Sequence, residues 1–220
     1  MTVPMREEIK EMVLMQNELN IATCGNAWVL GSTEEGRLID WNRCIYMECA
    51  ELIDSLNWKH WKSITSDDDW ENAQIEVIDI WHFVMSREIE RRGTLDDIAK
   101  YFYGAFAVYK IEDGFTIDRM HVLKRAEELA KVAINIEGDI SKAFTYLCKA
   151  IGVNFEVLYD GYRAKHWLNW FRQENGYKDG KYRKIIFGIE DNKLLFSCVN
   201  ELGFEKGIEN FKEAYQKDSK

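Results

Sequence analysis

Apolar residues recur at three- and four-residue intervals along most of this chain, the period of helices that each bury one face. Over residues 5–20 the stripe runs through Ile9, Met12, Val13 and Leu19, and two amides, Gln16 and Asn20, continue it one turn apart. Residues 21–40 carry Gly25, Gly31, Ser32 and Gly36 and read as a connection. Trp41 opens a second helix to about Trp61. Ser66 and Asp67–Asp69 offer N-caps for a third, from Trp70 to Arg92. Thr94 with Asp97 opens a fourth through Lys110, and 111–117 reads as a hinge or an excursion. Further helices are predicted over 118–136, 139–150, 154–174, 190–201 and 204–216, with Gly152 and Gly176 as stops. One proline and 14 glycines leave few punctuators for a many-stranded sheet. The expectation is an all-α fold, a helical bundle with a four-helix core and a mobile helical portion, forming one domain over residues 1–220.

The third predicted helix breaks the amphipathic rule. Between Ile75 and Met85, eight of eleven residues are apolar, so the helix is apolar on nearly every side and reads as buried. Its polar residues are Glu76, Asp79 and His82, with the carboxylates on one face. The second helix repeats the anomaly, because Cys44, Ile45, Glu48 and Leu52 share a stripe and Glu51 follows Glu48 one turn on. Burying unpaired carboxylates costs several kcal/mol each, so a Glu48-x-x-Glu51 pair facing a Glu76-x-x-Asp79 pair calls for cations. Oxygen donors alone suit a hard ion such as Mg²⁺. A di-iron bundle needs Glu-x-x-His on two helices, which neither motif supplies, and zinc lacks Cys or His at ligand spacing. Glu48, Glu51, Glu76 and Asp79 are therefore the candidate metal ligands and catalytic carboxylates, with Glu48 or Glu51 taking a proton from the attacking water. His82 suits orienting a neighbour, or a satisfied core position, better than ligation.

Charge narrows the partners. With 38 acidic against 29 basic residues the net charge is −9, which excludes a general basic footprint for a nucleic-acid polymer or an anionic membrane. No apolar run is long enough for a signal or membrane span, and five cysteines without a Cys-x-x-Cys pair suggest a reduced, cytoplasmic protein. Residues 165–184 run against the trend, with six bases to two acids. Lys165, Asn169 and Arg172 share a helical face, and beyond Gly176 come Tyr177, Lys178, Lys181, Tyr182, Arg183 and Lys184. Such a segment suits a polyphosphate, since each base gains a charge-assisted bond there. Trp58 and Trp61 offer a stacking wall for a base or ordinary core. Gln16 and Asn20 offer either directional bonds to a nucleobase edge or an interhelical bond.

Three blocks resemble the dimeric, all-α dUTPases of the wider MazG-like nucleoside triphosphate pyrophosphatase superfamily: Glu48–Lys62, Glu76–Phe83 and Leu168–Tyr182. The resemblance implies a homodimer that hydrolyses dUTP, and dUDP, to dUMP with Mg²⁺. It implies Glu48, Glu51, Glu76 and Asp79 as metal ligands, Gln16 and Asn20 as the uracil-recognition pair, and Asn169 on the nucleoside. Lys165, Arg172, Tyr177 and Lys184 would hold phosphates, with Lys178, Lys181 and Tyr182 beside them. His166 departs from the family's usual Asn, and residues 94–150 carry no motif recognised here. Two alternatives stay open: a pyrophosphatase for another nucleotide such as dCTP, and a non-catalytic helical module with a structural ion site.

Overall fold

Asp69 and Thr94, both predicted as caps, start two of the helices in the computed structural model, which describes residues 3–63, 65–108 and 114–218. Helix α1 spans Val3–Cys24, α2 Trp41–Asp54, α3 Trp70–Arg91, α4 Leu95–Phe106, α5 Arg119–Asn135 and α6 Ile140–Ile151. Helix α7 spans Phe155–Glu174, α8 Asp191–Leu202 and α9 Phe204–Lys217. Asp40, Asp69, Thr94 and Asp139 each accept a hydrogen bond from the backbone N–H three residues on. Each such cap stabilises its helix by about 1 kcal/mol. Gly152 stops α6 in the left-handed conformation, at φ 78°. The loop after α1 holds a 3₁₀ turn at Trp28–Leu30 and one isolated bridge, Ser32 to Leu38.

The second helix is shorter than predicted. It ends at Asp54 because Ser55 Oγ bonds back to the Glu51 carbonyl, and Asn57 ties the following loop to the carbonyls of Ser63 and Ser66. Trp58 and Trp61 therefore stand on a loop. The fourth helix ends at Phe106, and the rest of its predicted span falls partly on residues outside those described.

The chain divides into two compact units, Met1–Tyr159 and Asp160–Lys220. In the first, α3 is central and packs against α1, α2, α4 and α6, while α5 joins α2 to α6. Its core is aromatic. Trp81 stacks on Phe144 at 5.0 Å, meets Phe102 edge-on at 4.6 Å, and directs its indole N–H to the Met12 sulfur at 3.4 Å. Each fully buried side chain of this size contributes about 1.5–3 kcal/mol by leaving water.

In the second unit, Ala164, Leu168, Ile186, Leu195, Ile208 and Phe211 form a separate core. A two-stranded hairpin, β1 (Ile185–Ile186) and β2 (Ile189–Glu190), precedes α8 and is the one sheet among the described residues. Helices α8 and α9 approach so closely at Gly207 that a Cβ there would lie 2.6 Å from the Val199 Cα. Backbone cannot yield as a side chain does. Gly207→Ala is accordingly expected to destabilise this unit by about 1–3 kcal/mol in denaturant melts, and an unchanged midpoint would show the helices free to separate. No helix among the described residues is long and apolar enough to cross a membrane.

Candidate active site

Helices α2 and α3 lie against each other, and their sequence anomalies meet there. Glu48 from α2 and Glu76 and Asp79 from α3 each offer a carboxylate oxygen within 4.8 Å of the others. Glu76 is buried, and its Oε1 accepts a bond from Asn72 Nδ2 at 3.0 Å. That amide also donates to Ser55 Oγ at 2.8 Å, so Asn72 holds Glu76 to the end of α2. Burial, reinforced by the charges of Asp79, Glu76 and Glu51, pushes the Glu48 carboxyl up to about 9. The same burial, with Glu48 beside it, pushes the Cys49 thiol up to about 12. A pocket that resists a third negative charge is one that favours a cation, and its donors are all hard oxygens.

Glu51 stands apart from the other three. It is exposed one turn along α2 and reaches Glu48 through space, outside the close group.

Gln16 and Asn20, both almost fully buried, form an interhelical network with α3. Gln16 Nε2 donates to Asn20 Oδ1 at 2.9 Å and to Ser86 Oγ at 3.0 Å, and Asn20 Nδ2 donates to the same hydroxyl at 2.9 Å. His82 Nδ1 lies 2.7 Å from Gln16 Oε1. Trp58 and Trp61 are exposed, edge to face at 5.7 Å, with Lys59 over the Trp58 ring.

In the second unit the basic stretch converges on an acid that sequence reasoning missed. Asp191, fully buried at the start of α8, accepts from Arg172 Nε and Nη2, both at 2.8 Å, and from the Tyr182 hydroxyl at 2.8 Å. Asn192 Oδ1 then accepts from Lys165 Nζ at 2.8 Å and Arg172 Nη2 at 3.1 Å. Burial and the Asp191 charge push the Tyr182 hydroxyl well above its usual range. Asn169 is half-buried, and His166 Nε2 accepts the Trp170 indole N–H at 3.2 Å. Tyr177, Lys178, Lys181 and Lys184 are exposed, with Lys184 over the Tyr177 ring and Lys181 paired with Asp179.

The sequence profile of the dUTPase family matches residues 8–177. The chain belongs to the dUTPase family. Its reaction is the hydrolysis of dUTP to dUMP. The match runs through 94–150, where no motif was recognised, and stops short of Lys178, Lys181, Tyr182 and Lys184. Among curated proteins, none is significantly similar to the chain. The all-α expectation holds, with the hairpin as its small exception among the described residues.

Proposed function

We propose that this dUTPase is Mg²⁺-dependent, that Glu48, Glu76 and Asp79 hold the ion with Glu51 beside them, and that it also accepts dUDP. The observation that carries the proposal is the three-carboxylate group on facing helices, all of it oxygen donors. When bound, such an ion neutralises polyphosphate charge and acidifies water. With that cation bound, the Glu48 carboxyl would be ionised and would take the proton from the water that attacks phosphorus. The phosphoanhydride bond then breaks, and pyrophosphate leaves when the substrate is dUTP. Asn72, by fixing the Glu76 carboxylate, preorganises the ligand set.

Gln16 and Asn20 read the uracil edge, with Trp58 and Trp61 as the stacking wall. Asn169 recognises the nucleoside. Lys165, Arg172, Tyr177 and Lys184 hold phosphate, assisted by Lys178, Lys181 and Tyr182. Support for these roles comes from the family resemblance and from the local surplus of base over acid in 165–184. A homodimer in a reduced, cytoplasmic setting completes the reading, in keeping with five free thiols.

Chelation provides the test. Adding EDTA is expected to abolish dUTP turnover, and excess Mg²⁺ to restore it; turnover that survives chelation would reject the metal role. At a hundredfold excess over Kd, an ion bound only by the folded protein adds about 2.7 kcal/mol, so Mg²⁺ should also raise the melting temperature by roughly 5–10 °C.

A further inference from the structure

The amide pair on α1 is held by two side chains of α3 that no role yet includes. His82 and Ser86 lie along the helix from Asp79, about 4.5 and 10.5 Å further at 1.5 Å per residue. Both are buried, Ser86 completely. Ser86 donates its own hydrogen to the His82 carbonyl at 2.8 Å. With its hydrogen there, its oxygen accepts from Gln16 and Asn20, the alternative of donating to Asn20 Oδ1 being longer at 3.3 Å, and both amides turn N–H toward it. Gln16 then spends its two Nε2 hydrogens on Ser86 and Asn20, which leaves Oε1 facing His82. His82 Nδ1, at 2.7 Å, carries a hydrogen in the tautomer that this arrangement selects. Reversing both amides would turn two acceptors on the single Ser86 hydrogen, already engaged by the His82 carbonyl, and would require the other tautomer of His82. The Ser86 hydroxyl favours this arrangement, and the His82 ring, in the matching tautomer, completes it.

We propose that His82 and Ser86 are positioning residues for base selection: they fix the polarity of the Gln16–Asn20 pair so that it presents a donor to the base. The proposal rests on the reading of that pair as the base-recognition element. The bonds above consume one of the two Asn20 Nδ2 hydrogens, and the other keeps the polarity they impose. A donor at that point matches the O4 acceptor of uracil. Cytosine has an amino group there, so two donors would meet in a buried site, where a missing partner is heavily penalised. Polarity discriminates between bases of nearly equal size, which packing alone does poorly.

The experiment compares wild type with Gln16→Ala, His82→Leu, His82→Asn and Ser86→Ala. It measures kcat and KM for dUTP and dCTP, and calorimetric affinity for dUMP and dCMP, after thermal melts establish folding. His82→Leu and Ser86→Ala are expected to lower the dUTP-to-dCTP ratio of kcat/KM by about tenfold or more, mainly through KM, with the monophosphate affinities following. His82→Asn, which restores an N–H near the former Nδ1, should recover most of the ratio. If Gln16→Ala shifts the ratio while His82→Leu and Ser86→Ala lower activity on both substrates equally, the proposal is overturned. If Gln16→Ala itself leaves the ratio unchanged, the base-recognition reading falls first. Should the leucine variant fail to fold, Ser86→Ala, which removes a single oxygen, decides the matter alone.

Discussion

Glu76→Gln is expected to lower dUTP turnover by about 10²–10³-fold, roughly 3–4 kcal/mol of transition-state stabilisation, while leaving the protein at least as stable as wild type. The substitution keeps the size of the side chain and an oxygen that can accept from Asn72. It removes one of the carboxylates that crowd Glu48 and keep its proton affinity high. Activity and stability should therefore move in opposite directions, as they do where a site is built from mutually repelling groups. The measurement is kcat at saturating Mg²⁺ beside a thermal melt in chelator. A large loss of melting temperature would mean that Glu76 supports the fold, and an unchanged kcat would remove it from the catalytic group.

The second large effect belongs to Asp191. Its carboxylate collects the Arg172 guanidinium and the Tyr182 hydroxyl with no exposure to solvent. Removing one partner of a buried charge pair strands the other, at a cost of about 3–5 kcal/mol. Asp191→Ala should lower the melting temperature by roughly 10 °C. The double variant Asp191→Leu with Arg172→Met should recover much of the loss, since apolar groups of similar volume need no partner. A single variant within 1 kcal/mol of wild type would show water or a nearby side chain replacing the carboxylate. Because Arg172 is also assigned to phosphate, the double variant is useful only for stability.

What sequence could reveal followed the range of the interactions. Helix starts were legible because a cap and its partner lie three residues apart, as with Asp69 and Asn72. The meeting of Glu48 with Glu76 and Asp79 was legible because carboxylates on apolar stripes have few physical resolutions. The end of α2 was not. Apolar periodicity continues through Leu56 and Trp58, while the residues that stop the helix, Asn57 with Ser63, Ser66 and Asp68, act across a loop. Asp191 was hidden for the same reason: its partners sit 19 and 9 residues away, and an acid at the start of a helix looks like ordinary dipole compensation. Asn72, one turn before Glu76, did leave a local trace, an amide at i−4 from a suspect carboxylate. Gln16 and Asn20 were visible as misplaced polar residues, but their partners could be found only once α1 and α3 had been brought together.

The central place of α3 has a kinetic side. Enclosed by α1, α2, α4 and α6, its amide hydrogens can reach solvent only when much of the first unit opens at once. Glu76, Asp79, His82 and Ser86 are thus expected to ride on the slowest-exchanging segment of the first unit, which amide hydrogen exchange would check. On the proposed role of those carboxylates, activity and the fold of the first unit should be lost together on heating.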